Sequence, residues 1–97
     1  MNQKILPSDA ELYRRIEEVV HYIWDPIGIS AHPQARDEYI GYMTGIFGRV
    51  KAGKEEDIIE FMRWAASENM GLYFDEDKAK EAAKVMLDWK KYINETT

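Results

Sequence analysis

The sequence predicts an all-α protein: a compact, irregular four-helix bundle forming a single domain over residues 1–97, with a long structured loop between helices 1 and 2. Three observations lead there. Apolar residues recur at spacings of three and four in four separate stretches, the period of one helix face. No stretch alternates apolar and polar residues at a period of two, so no strand is expected. Ninety-seven residues with 45% hydrophobic content suffice for one modest core and leave no length for a second.

Helix 1 is expected over about 8–24. Ser8 stands three residues before Glu11, the spacing of a capping box. Leu12, Ile16, Val19, Val20 and Ile23 form one face, with Arg14, Arg15, Glu17 and Glu18 on the other. Pro26 bars Asp25 from helical geometry, which ends the helix at about Trp24.

Helix 2 is expected over 33–52, opened by Pro33, whose missing N–H has no partner to lose in a first turn. Its apolar face reads Tyr39, Met43, Ile46, Phe47 and Val50. Gly41, Gly45 and Gly48 each cost about 1 kcal/mol relative to alanine inside a helix. Their spacing makes a groove, expected to receive helix 4 of the same chain or helix 2 of a twin. Gly53 is the expected left-handed C-cap.

Helix 3 is expected over 55–70, with Ile58, Phe61, Met62, Ala65 and Ala66 facing inward and Ile59 and Trp64 widening that face. Gly71 ends it. The apolar link Leu72-Tyr73-Phe74 is expected to tuck under helix 4, which runs over 76–95 behind an Asp75 cap and carries Ala79, Ala82, Ala83, Met86, Trp89 and Ile93.

The corner after helix 1, IWDPIGISAHP, concentrates the unusual residues of the chain. Asp25 is expected in extended geometry, its carboxylate accepting the N–H of Ile27 or Gly28, with a single turn over 26–28. Trp24, Ile27 and Ile29 are expected to plug the end of the bundle. His21, four residues before Asp25, is placed to pair with it. His21, Asp25 and His32 together offer two imidazoles and a carboxylate, a donor set that suits a metal ion. None of the recognised metal-binding spacings accompanies them, and a capped, architectural corner is the simpler reading. Arg36 is expected to bridge back to Asp25 or Glu18.

The blocks WDPIG (24–28), P-x-ARDEY (33–39) and MGL (70–72) resemble a set of small bacterial all-α proteins with the pattern WDPxG…ARDEYxxY…MGL, a set without an established activity. The resemblance covers about half of the chain. It marks Trp24, Asp25, Pro26, Gly28, Arg36, Asp37 and Tyr39 as a signature corner. Members of the set often carry aspartate after the DEY tyrosine, where this chain has Ile40. Some similar small acidic helical proteins serve as immunity partners of bacterial toxins.

Eighteen acidic against 13 basic residues give a net charge of −5, a poor match to nucleic acid, whose phosphates need clustered Lys and Arg. The balance is compatible with a basic protein partner and equally with plain solubility. Residues 54–71 hold five acidic side chains against two basic ones, so Glu55, Glu56, Asp57 and Glu60 form the acidic face expected to meet such a partner. The same carboxylates in a first helical turn also complement the helix dipole. Trp64, Tyr22 and Tyr42 lie off the strict core stripes, and Trp64 is expected to complete the core.

There is no cysteine, no Gly-rich phosphate loop and no GxSxG elbow. No leader pattern opens the chain and no apolar run approaches a membrane span, so a cytoplasmic location is expected, with no cofactor and no catalytic residues. The expected function is a small non-catalytic protein-binding module, an immunity-type neutraliser or regulator of a basic bacterial protein. The alternatives are a homodimeric structural protein and, behind it, a metal- or carboxylate-dependent enzyme.

Overall fold

The structure, a computed structural model, describes residues 6–28 and 38–96. Among these residues there are four helices and no strand: α1 (Pro7–Val19), α2 (Ile40–Ala52), α3 (Glu55–Arg63) and α4 (Glu76–Thr96). They pack as a four-helix bundle. Two of them run on as wider π-helical turns, α1 through Val20–Trp24 and α3 through Trp64–Asn69, so the helical ranges expected at 8–24 and 55–70 are filled to within a residue. No helix is long and apolar enough to cross a membrane among the described residues.

The inward faces are those the spacing predicts. Leu12, Ile16 and Val19 of α1 meet Met43, Ile46 and Val50 of α2, Ile58 and Met62 of α3, and Ala79, Ala82, Ala83 and Met86 of α4. The small alanines let α4 lie close to both α1 and α3, and it contacts all three other helices. Outside this core, the Arg15 guanidinium sits 4.6 Å above the Trp89 ring and Lys51 pairs with Asp9 at 2.6 Å, fastening α1 to α4 and α2.

Several ends differ from expectation. The N-cap of α1 is Leu6 rather than Ser8: Pro7 takes the first helical position, which draws Ser8 inside, and no side chain caps the helix. Glu11 therefore closes no capping box and pairs with Arg14 and Arg15 instead. Partial desolvation pulls the Glu11 carboxyl up, but the charges and hydrogen bonds of those two arginines together hold it below the usual carboxylate range. Helix α2 begins at Ile40, because Tyr39 leaves helical geometry at φ −101° and ψ 3°. The expected start at Pro33 lies outside the described residues. At the other end of α2, Gly53 is the left-handed cap (φ 83°), its N–H bonded to the carbonyls of Arg49 and Val50. Asp75 caps α4 by accepting the N–H of Lys78 at 3.1 Å, and Gly71 (φ 71°) turns the chain out of α3. Leu72 and Phe74 are half-buried, but Tyr73 between them is 87% exposed, since neighbouring side chains in an extended link point opposite ways.

Within the chain, the Gly45 position of the α2 groove is filled from α3 rather than by helix 4. A Cβ on Gly45 would lie 2.5 Å from Cζ of Phe61, so the ring of an α3 residue fills that position. Gly41 and Gly48 face open space.

Candidate functional site

The signature corner is a closed hydrogen-bonded unit. The π-helical turn is sealed by the Asp25 N–H bonding to the Val20 carbonyl at 2.9 Å. Asp25 then exits at φ 36°, ψ 61°, left-handed rather than extended as expected. Pro26 bars the right-handed helical region, and the cap after a wide turn needs the left-handed one, which aspartate tolerates better than most residues. Such a conformation stores about 1–3 kcal/mol.

The Asp25 side chain offsets that strain. Its Oδ1 accepts the Tyr39 hydroxyl at 2.8 Å and the Gly28 N–H at 3.2 Å, while the same hydroxyl accepts the Ile27 N–H at 2.9 Å. Tyr39 is buried, and its ring lies 6.1 Å from that of Trp24, also buried. Burial first, then the bond to Asp25, pushes the Tyr39 phenol far above its usual range, so it stays a protonated donor throughout neutral pH. The turn at 26–28 and the carboxylate bond to Gly28 follow expectation. Ile27 does not: it is exposed, because its N–H must face Tyr39 and its side chain is turned outward.

His21 is 1% exposed and does not pair with Asp25, whose Oδ1 is taken by Tyr39. Neither imidazole nitrogen has a hydrogen-bond partner among the described residues. Among the described residues no group of three or more His, Asp or Glu is arranged to hold a metal ion. His32, Ile29, Arg36 and Asp37 lie outside the described residues, and Glu18, one expected partner of Arg36, bonds Arg15 at 3.2 Å.

The second candidate is the outer side of α2 and α3. Glu55 is half-buried, and Glu56, Asp57 and Glu60 are exposed in or just after the first turn of α3. Glu60 pairs with Arg63 at 3.3 Å; Arg63 also reaches Glu76 at 3.8 Å and stacks on Phe74. Trp64, expected in the core, is 44% exposed. The wide π-helical turn that begins at Trp64 leaves Ala65 and Ala66 to face the core. Trp64, Phe61, Asp57, Glu60 and Arg49 line a shallow hollow between α2 and α3.

Sequence spacing marked the four carboxylates but missed this hollow. The available signal was the Phe61/Trp64 spacing of three, with Asp57 one turn before Phe61. Comparison with protein-family models, with curated proteins and with solved structures finds no match.

Proposed function

We propose that this chain is a non-catalytic protein-binding module of the immunity type, which neutralises or regulates a basic protein through the outer face of α3. The observation that carries this reading is the exposure of Trp64 in one hollow with Asp57 and Glu60, with Glu56 exposed at the start of the same helix. Exposed aromatics with polar surroundings are the anchors of protein interfaces. The carboxylates set the sign of the partner. At the corner, by contrast, Asp25 and Tyr39 are committed to holding the chain's own turn.

Opposite charge across an interface mainly raises the association rate and fixes orientation, and salt screens it beyond about 8–10 Å. Capture from a lysate of the parent organism is expected to recover a basic protein whose association slows with added salt. Glu60→Lys should slow it further, and Glu56→Lys with Glu60→Lys more so, with the fold intact because exposed substitutions shift stability by under about 0.5 kcal/mol. A partner indifferent to salt and to both charges would overturn the reading. Sedimentation of the protein as a dimer without any partner would favour the homodimeric alternative instead.

A further inference from the structure

We infer that the hollow between α2 and α3 seats the guanidinium of a partner arginine, stacked on Trp64 and held by Asp57 and Glu60. This rests on the α3-face reading above and names the group that face recognises.

The hollow is built by one absent side chain. Gly45 lets the Phe61 ring lie against the α2 backbone, where a Cβ would be 2.5 Å from it. Phe61 and Trp64 then adjoin, ring centres 5.6 Å apart and tilted by 38°. The face of Phe61 already carries a guanidinium: Arg49 lies 4.4 Å above it and donates to the Gly45 carbonyl at 3.0 Å. Trp64 is the larger and better cation-binding ring, and among the described residues no cation covers it.

Charge completes the seat. Asp57 has no ion pair among the described residues, and Glu60 shares its only one there with an arginine that also reaches Glu76. Two carboxylates beside an aromatic face match a cation and repel an anion. Arginine fits better than lysine, because a planar guanidinium stacks on an indole and forks to a carboxylate at once, whereas an ammonium does one or the other. A second copy of this chain would bring the same carboxylates to the face and is disfavoured.

The test is an NMR titration of the isotope-labelled protein with N-acetyl-arginine methylamide and, separately, its lysine counterpart. The three tryptophans give three indole N–H signals, and Trp64→Phe assigns one of them. Saturable movement of the Trp64 indole is expected at millimolar arginine probe, at least about threefold weaker with lysine and about fivefold weaker in Asp57→Asn. No saturable movement, equal response to both probes, or indifference to Asp57→Asn overturns the inference. These outcomes need no natural partner. If a captured basic protein keeps its salt- and Glu60-dependent association while Trp64→Ala leaves its dissociation rate unchanged, the α3-face reading stands and the arginine seat falls.

Discussion

Tyr39 donates its hydroxyl hydrogen to Oδ1 of Asp25 across 2.8 Å, tying the residue that ends the first helical segment to the residue that caps α2, fourteen positions later. The same oxygen of Tyr39 accepts the Ile27 N–H, so a single phenol satisfies both a buried carboxylate and the turn that follows it. Removing that hydroxyl takes the Ile27 N–H's acceptor and one of the Asp25 carboxylate's donors at once, leaving Asp25 the Gly28 N–H. Tyr39→Phe is therefore expected to cost about 2–3 kcal/mol in urea denaturation, although the ring itself still fills its place. A loss within error of zero would mean that water or another group takes over both bonds.

The Tyr39 phenol also sets a pH limit. Its folded-state pKa is raised above the unfolded value of about 10 by burial and by Asp25. Its contribution to stability is thus fully present below about pH 10 and is lost as pH rises towards the folded value, by up to about 1.4 kcal/mol per unit. Denaturation midpoints measured between pH 8 and pH 11 should fall at the alkaline end, and Tyr39→Phe should flatten that fall.

Trp24→Ala should cost about 3–5 kcal/mol, since the indole is 2% exposed and packs beside Tyr39. For a domain whose total stability is of the order of 5–15 kcal/mol, that is enough to leave a substantial unfolded fraction, visible as a lower thermal midpoint. An unchanged midpoint would mean that the indole is not packed as described.

His21 gives the opposite sign. A buried imidazole whose nitrogens find no partner among the described residues carries a desolvation cost that an aliphatic side chain of similar volume does not. His21→Leu is expected to leave stability unchanged or raise it by about 1–2 kcal/mol in chemical denaturation. A clear loss would reveal a partner for one of the nitrogens.

The glycines of α2 separate by their neighbours. Gly48→Ala faces open space and should stabilise the helix by about 0.5–1 kcal/mol. Gly45→Ala must displace Phe61 and should fall about 1–2 kcal/mol below it, with the Trp64 fluorescence altered as its neighbouring ring moves. Equal stability of the two would mean that Phe61 yields without cost.

Helix identity was legible because burial follows a period of three and four: Ile16, Met43, Ile58 and Met86 all lie on predicted faces and all are fully buried. Exits were less so. The left-handed Asp25 reflects a π-helical turn, which depends on where the tertiary core pulls Val20 and Trp24 and leaves no residue signature. Trp64 was misplaced because its size was weighed above its phase: it lies off the stripe of Ile58, Met62, Ala65 and Ala66, and those residues close the core without it. The Asp25–Tyr39 bond lay beyond local spacing, as it joins two segments through space, although both residues stood in the signature blocks.

Docking through α3 is tested most directly by amide hydrogen exchange of the protein alone and in complex with its captured basic partner. Added protection is expected over Glu56–Trp64 and over the facing Gly45–Arg49 segment of α2, with exchange at the Trp24–Gly28 corner and along α1 unchanged. Protection confined to the corner or to the α1/α4 side, with α3 exchanging as in the free protein, would contradict it.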